Sequence, residues 1–341
     1  MEHRIPIIGP REAKLLFRYF VSIDRCLAGR FLLGFPPDEE HLTSLLTELL
    51  DERGSQLHPV QYSLRQLNDE LRAAESLLQV DLSISTNKYN RYQESNATQA
   101  DLGIVLDYRD YIQADLSFQK GALFQAKRLF PNTENKYGLS SEYQAYREKQ
   151  HAAFAMLDLK EGVNEPREIE RRGYPGQGCY YLLYNPSMSN FEAGDQERMR
   201  HRQIRNDMSN IFDYTRGLHL YNQLLGGDSA QTFADIASLV CSLDSVKPRD
   251  SGAKPKPTKP PNHPRFEQIL ESINLRQSSL PWFLVFDFML GESGSVDREF
   301  LNLVWSGGSV KRQQDARIEF AAPRYTLNLK IEGGRNPDSH N

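Results

Sequence analysis

The chain has 341 residues, of which 39% are hydrophobic and 10% aromatic, and its formal net charge at pH 7 is −4. This composition excludes a disordered tail or a low-complexity protein and allows one large domain or two smaller ones. A mildly acidic total also argues against a protein whose whole surface attracts nucleic acid, although local basic faces can coexist with it.

The N-terminal part shows apolar residues at intervals of three and four, which is the spacing of helices packed against a core. Three segments have this pattern, and they span residues 10–34, 41–54 and 59–80. Glycine or proline follows the first two segments, as expected at the ends of helices. The sequence therefore predicts three helices before the first strand.

The apolar period then changes to that of strands. Strands are predicted over residues 80–89, 101–108 and 118–129, where β-branched and apolar residues alternate or run together between polar loops. A helix over 140–157 follows, and then a buried aromatic strand over 178–187 that ends at an Asn-Pro pair. The resulting order is helix, three strands, helix and strand.

The C-terminal half contains two further predicted helices, over 195–214 and 230–243. Residues 244–264 are rich in lysine and proline, which is typical of a linker or a long surface loop. Beyond this run, strands are predicted over 281–290 and 325–333, with a helix over 296–305 between them. The predicted organisation has five parts: an N-terminal helical part (1–57), a core (58–243), the linker (244–264), a C-terminal α+β accessory region (265–332) and a tail (333–341).

Cysteine usage and hydropathy set the expected compartment. The three cysteines are scattered and form no C-x-x-C pair, which is unlike a zinc knuckle or a disulfide framework and indicates a reducing environment. The N-terminus does not resemble a signal peptide, and no stretch approaches the roughly 18 apolar residues of a spanning helix. We therefore expect a soluble cytoplasmic protein without membrane contact.

The second and third predicted strands bring three polar residues together. If they form an antiparallel hairpin in which Tyr108 pairs with Phe118, Asp101 lies opposite Gln125. Since successive side chains of a strand point to opposite faces of the sheet, Gln125 and Lys127 lie on the same face of the sheet, and Asp101 lies on that face as well. A shift of the register by one residue would move Asp101 to the other face.

A carboxylate, an amide and an ammonium at one end of a sheet indicate a specific chemistry. The Asp101 carboxylate and the backbone carbonyl of Ala126 are hard oxygen ligands suited to Mg²⁺ or Mn²⁺, and the amide oxygen of Gln125 is a weaker one. Such a metal polarises a phosphodiester and lowers the pKa of an attacking water, while Lys127 can stabilise charge in the transition state. The cluster therefore predicts metal-assisted phosphodiester hydrolysis.

In its order of elements and in "ATQAD" and "FQAKRL", the segment 38–187 resembles the PD-(D/E)xK superfamily, which includes many restriction endonucleases. It looks most like the Mrr-type variants, in which glutamine replaces the family's glutamate. The resemblance implies an α/β restriction-endonuclease-like core with a mixed central sheet flanked by helices, Mg²⁺ dependence and hydrolysis of nucleic acid. It also implies that Asp101 binds the metal, that Gln125 is the variant position and that Lys127 is the catalytic lysine.

The same resemblance leaves the third acid open. An acidic residue on the first core helix often completes such sites, and Glu40 and Glu70 compete for this role. Glu40 is preferred because "EEHLT" before "ATQAD" and "QAKRL" resembles restriction-like proteins of bacterial defence loci. Glu94, on the approach to Asp101, is interpreted either as a metal ligand or as an exposed loop carboxylate.

A basic helix face provides a candidate nucleic-acid contact. Arg198, Arg202 and Arg205 fall on one side of the predicted helix, where they could follow a phosphate backbone or form the solvated face of an amphipathic helix.

The expected function is that of a Mg²⁺- or Mn²⁺-dependent endodeoxyribonuclease in anti-phage or restriction-type defence. Its expected partners are DNA and either a second copy of the chain or another protein of the defence system.

Two alternatives to a deoxyribonuclease stay open. Gln125 is neutral, so the site holds less negative charge than the family pattern and could belong to an inactive nuclease that acts as a binding or scaffold protein. The second alternative is a ribonuclease, for example a toxin.

Overall fold

The computed structural model describes residues 6, 8–33, 35–51, 60–86, 100–143, 154, 178–209, 233–246, 263–275, 277–291, 293–311, 317–320 and 322–333. Within these ranges the chain is an α/β protein with a mixed central sheet of seven strands and with seven helices, of which three precede the first strand.

Three helices form the N-terminal part, and side chains cap the starts of the second and third. They are α1 (Pro10–Gly29), α2 (Glu39–Leu50) and α3 (Leu64–Ala73). The side chain of Asp38 accepts a hydrogen bond from the backbone of His41 at the start of α2, and Ser63 and Gln66 form a capping box at the start of α3. The predicted third helix is too long, because the chain turns after Ala73 and enters a strand at Gln79.

Seven strands form the central sheet: β1 (Gln79–Thr86), β2 (Leu102–Asp110), β3 (Phe118–Phe130), β4 (Glu142–Tyr143), β5 (Cys179–Tyr184), β6 (Leu239–Ser242) and, numbered by its place in the chain, β9 (Tyr325–Gly333). Their order across the sheet is β1-β9-β2-β3-β5-β6, and β4 pairs with the end of β3. The pairs β2–β9 and β3–β5 are parallel, and the other pairs are antiparallel.

The predicted hairpin register of β2 and β3 is confirmed. Tyr108 pairs with Phe118 and Leu102 pairs with Phe124. The register follows from the matching apolar faces of the two strands and from the short polar connection between them. The N-terminal end of β2 and the C-terminal end of β3 therefore lie side by side at the same end of the sheet.

β9 belongs to the segment that was expected to form an accessory region, yet it lies inside the central sheet between β1 and β2. Leu327, Leu329 and Ile331 are buried on one side of this strand and join the main hydrophobic core. The alternating pattern of 325–333 predicted a strand correctly. The neighbours of that strand in the sheet depend on contacts with distant segments of the chain, and local sequence does not encode these contacts.

Two C-terminal elements differ from prediction. Residues 281–290 were predicted as a strand, but the structure has a short helix α6 (Leu280–Trp282) that continues as a π-helical turn over Phe283–Met289. Nearly every position of this run is apolar, and periodicity cannot distinguish a buried strand from a buried helix in that case. Residues 230–243 were predicted as a helix, but they contain β6, which completes the edge beside β5.

The other helices are α4 (Ala193–Ser209), α5 (Phe266–Ser272) and α7 (Arg298–Ser306). The predicted helix over 296–305 is confirmed, and the one over 195–214 is confirmed as far as Ser209, where the described residues stop. A separate two-stranded sheet pairs β7 (Gly308–Lys311) with β8 (Arg317–Phe320). The predicted helix over 140–157 is wrong at its start, where β4 forms. Most of its remainder, the linker residues 247–262 and the tail after Gly333 lie outside the described residues.

Helices cover both faces of the central sheet. Helices α1, α2, α3 and α6 pack on one face against positions such as Ile104 and Phe124. Residues of α4, α5 and α7 pack on the other face against the intervening positions, such as Val105 and Leu123. None of the helices in the described ranges combines the length and the hydrophobicity that a bilayer crossing requires.

Candidate functional site at the end of strands β2 and β3

Asp101 directly precedes β2 and is held against the end of β3. Its backbone N–H donates to the carbonyl of Phe124 at 2.9 Å, and Phe124 is also the residue that pairs with Leu102 at the end of the ladder. Its Oδ2 accepts hydrogen bonds from Nε2 of Gln125 at 2.6 Å and from the backbone N–H of Ala126 at 2.7 Å. The structure thus brings together Asp101 and Gln125, as the register predicts.

Lys127 lies two residues beyond Gln125, and both side chains are buried, with 6% and 4% exposure. The Nζ atom of Lys127 is 3.6 Å from Oε2 of Glu39, the first residue of α2. The other oxygen of Glu39 accepts the backbone N–H of Arg128 at 3.2 Å, which ties the start of α2 to β3. Two carboxylates, an amide and an ammonium therefore meet in one place.

The preferred third acid, Glu40, is not the residue beside the lysine. Its side chain is 61% exposed and pairs with Arg324 at 2.7 Å, while Glu39 occupies the position expected for it. Successive helical residues point about 100° apart, so only one of two adjacent glutamates can face β3. Glu70, the alternative, pairs with Arg18 at 3.2 Å on α1.

Two predicted residues lie beyond what the structure describes. Glu94 is outside the described residues, as is the side chain of Arg205. On α4, Arg198 projects into solvent and its Nη1 is 3.9 Å from Oδ1 of Asp195, while Arg202 is half-buried. The role of this basic face as a nucleic-acid contact stays a prediction.

The electrostatic setting of Asp101 combines burial with two nearby cations. Burial raises the pKa of the Asp101 carboxyl group, and the Glu39 carboxylate raises it further. The Lys127 ammonium, the N–H of Ala126 and the Arg324 guanidinium each oppose this shift in the pKa. A carboxylate of this kind is stabilised by added positive charge, whether from a side chain or from a cation.

Tyr184, on β5, lies beside these acids. Its hydroxyl group donates to Oγ1 of Thr43 on α2 at 3.2 Å. Burial raises the pKa of Tyr184 far above its usual range, and the carboxylates of Asp101 and Glu39 add to the effect. Tyr184 is therefore a neutral hydrogen-bonding residue that links β5 to α2.

Sequence reasoning missed two residues of the cluster. The pattern "EEH" at the start of α2 contained a signal for Glu39, but it did not distinguish the two glutamates. No local signal indicated Arg324, which directly precedes β9. It comes near Asp101 because the N–H of Tyr325 donates to the backbone carbonyl of Asp101 at 3.3 Å.

The oxygen donors of the cluster can be compared with what a magnesium ion requires. Among the described residues, no group of three or more histidine, cysteine, aspartate or glutamate side chains could hold a metal. However, Mg²⁺ usually binds through only one or two carboxylates and completes its shell with water and substrate phosphate. Asp101 and Glu39 supply two hard oxygen donors of that kind, so these residues fit the ion that the sequence predicted.

Comparison of the chain with protein families and with characterised proteins, and of its fold with solved structures, found no match.

Proposed function

We propose that this chain is a metal-dependent nuclease that hydrolyses DNA phosphodiester bonds on a restriction-endonuclease-like core. The observation that carries the proposal is the meeting of Asp101, Glu39 and Lys127 at one end of the central sheet. A buried lysine beside two carboxylates, one of them partly exposed, suits a reaction at an anionic phosphate. The role in anti-phage or restriction-type defence, and partner proteins of such a system, belong to the same proposal.

Each residue has a distinct part in this mechanism. Asp101 and Glu39, with the backbone carbonyl of Ala126, would hold Mg²⁺ or Mn²⁺. When bound, the ion supplies a Lewis acid for the phosphate and a water of lowered pKa. Lys127 places a fixed positive charge where negative charge develops on the phosphoryl oxygens. Gln125 donates to Oδ2 of Asp101 and thereby orients the carboxylate.

One observation favours a second candidate, a non-catalytic DNA-binding or scaffold protein with the same core. Oδ2 of Asp101 already accepts two N–H donors, so this oxygen is satisfied by the protein itself. Titration calorimetry with Mn²⁺ separates the two functions. A nuclease binds the ion and loses that binding in Asp101→Asn, whereas a scaffold shows no binding in either protein.

Cleavage of plasmid and single-stranded DNA with Mg²⁺ or Mn²⁺ tests the nuclease directly. We expect Lys127→Met to lower the cleavage rate by about 10²-fold or more, because a preorganised transition-state charge is lost. The matched control is Lys136→Met, which removes an exposed lysine that pairs with Glu134 at 3.0 Å. Cleavage by this control should equal that of the wild type.

Three outcomes would overturn parts of the proposal. Equal cleavage by Lys127→Met and the wild type would refute the assigned site. No cleavage by the wild-type protein with either metal would favour the scaffold. Cleavage of RNA instead of DNA in the same assay would identify a ribonuclease that uses the same residues.

A further inference from the structure

A partly exposed ion pair lies beside the candidate site. Nη2 of Arg324 is 2.7 Å from Oε1 of Glu40, and the two side chains are 33% and 61% exposed. Each partner is the chain neighbour of a residue that builds the site. Glu40 follows Glu39, and Arg324 precedes Tyr325, whose N–H donates to the carbonyl of Asp101 at 3.3 Å. The pair therefore has a fixed position at the solvent side of the cluster.

The chemistry of this pair allows a phosphate to replace the glutamate. A guanidinium group presents its N–H donors in a planar fork that matches a carboxylate and a phosphate equally well. Exposed ion pairs contribute little to stability, so Glu40 can leave Arg324 without damage to the fold. The freed carboxylate is already mostly in water and needs no new partner.

We propose that Arg324 binds a backbone phosphate of the nucleic acid, and that Glu40 occupies the same guanidinium group in the free protein and is displaced when the strand binds. The inference rests on the proposed nuclease function and adds to it a substrate-positioning residue with a competing internal anion.

Displacement of Glu40 by phosphate and a purely structural role of the ion pair predict different results for the two substitutions. If the pair only stabilises the fold, removal of either partner has the same small effect on stability and none on binding. If Glu40 competes with phosphate, the two substitutions change nucleic-acid affinity in opposite directions. Arg324→Ala removes the phosphate contact, and Glu40→Gln removes the competing anion but keeps the size of the side chain.

The test is fluorescence anisotropy of the full chain with fluorescein-labelled duplex and single-stranded DNA oligonucleotides in EDTA, over a series of salt concentrations. We expect Arg324→Ala to weaken binding about tenfold and to reduce the slope of log affinity against log salt by about one, because one phosphate contact is lost. Arg324→Lys should fall between Arg324→Ala and the wild type. Glu40→Gln should tighten binding by a few-fold.

A second ion pair of the same type provides the control. Arg72 and Asp69 on α3 pair at 2.8 Å, and both side chains are exposed. Arg72→Ala and Asp69→Asn remove the same charges at a place away from the cluster of acids, so neither should change the affinity or the salt slope. Thermal unfolding of all variants checks that each one is folded.

Failure of this inference differs from failure of the nuclease proposal. If the wild type cleaves DNA but Arg324→Ala and Glu40→Gln bind like the wild type, or both bind more weakly, the competition is refuted and the nuclease stands. Opposite effects with RNA alone would support the competition and refute the DNA specificity. If the wild-type chain neither binds nor cleaves a nucleic acid, both proposals fall.

Discussion

The two ends of strand β3 each bury a lysine, and their surroundings are opposite. Lys127, 6% exposed, lies 3.6 Å from the Glu39 carboxylate. Lys120, 3% exposed, donates to the carbonyl of Gly291 at 3.0 Å, and its Nζ lies 5.3 Å from the ring centroid of Phe288. One end of the strand thus surrounds its ammonium with anions, and the other surrounds it with aromatic rings and a neutral carbonyl.

Burial alone therefore does not identify a functional lysine. Burial lowers the pKa of Lys120 to about 8, because the ammonium loses its contact with water. A perturbed pKa is often used to find active sites, yet the described contacts of Lys120 are one backbone carbonyl and aromatic rings rather than the carboxylates that meet at Lys127. Lys127 is the candidate functional lysine because it lies beside the carboxylates of Asp101 and Glu39, and Glu39 is partly exposed.

The largest expected effect comes from charge reversal at the aromatic end. Lys120→Glu would place a carboxylate against the Gly291 carbonyl and the ring of Phe288, and the described contacts of this position include no cation to pair with it. We expect a loss of about 3 kcal/mol or more in the free energy of unfolding, measured by denaturant titration. A loss below about 0.5 kcal/mol would show that this end of the strand is open to water.

The stability that Lys120 contributes also depends on pH. The pKa of Lys120 is lower in the folded protein, at about 8, than the 10.5 of the unfolded chain. Between these values the unfolded chain binds more protons, so the stability that this residue contributes is lost as the pH falls through about 8 and regained above the unfolded pKa. Relative to Lys120→Met, the wild type should gain about 2–3 kcal/mol between about pH 7 and about pH 10. Parallel stability curves for the two proteins would refute the desolvated lysine.

The smallest effect on stability is expected at the acidic end. Lys127→Met should destabilise the fold by about 1–2 kcal/mol near about pH 8, because Asp101 and Glu39 lose their shared cation. Lys127 lowers the pKa of Asp101, so its removal raises that pKa further, and the stability of the variant falls as the pH rises through it. The difference from the wild type should therefore shrink toward about pH 5 in denaturant titrations. A difference that grows at acid pH would contradict the proximity of these groups.

The part of the site that sequence could predict is the part made by neighbouring chain segments. Alternation and a short connection set the pairing of Tyr108 with Phe118, and Asp101 meets Gln125 as a consequence. The choice between Glu39 and Glu40 depends on the rotation of α2 about its axis. That rotation follows from how its leucines pack on the sheet, and both glutamates precede the first of those leucines.

Elements that depend on distant partners could not be predicted in the same way. The apolar run over 281–290 suits a buried strand or a buried helix, and contacts with α1 and the sheet decide between them. Arg324 reaches the site only because β9 enters the sheet between β1 and β2. The local pattern of residues 325–333 predicts a strand, but it does not specify which strands lie beside it.

Local sequence was sufficient to predict the helical N-terminal part, the β2–β3 hairpin and the juxtaposition of Asp101, Gln125 and Lys127, because apolar periodicity marks each element and a short connection sets the register of the hairpin. Only the tertiary structure decided that Glu39 faces the lysine and that Arg324 and Glu40 meet beside it. Those contacts arise from the packing of α2 on the sheet and from the insertion of β9 between β1 and β2. Both depend on contacts between segments that are far apart in the chain, which local sequence does not specify.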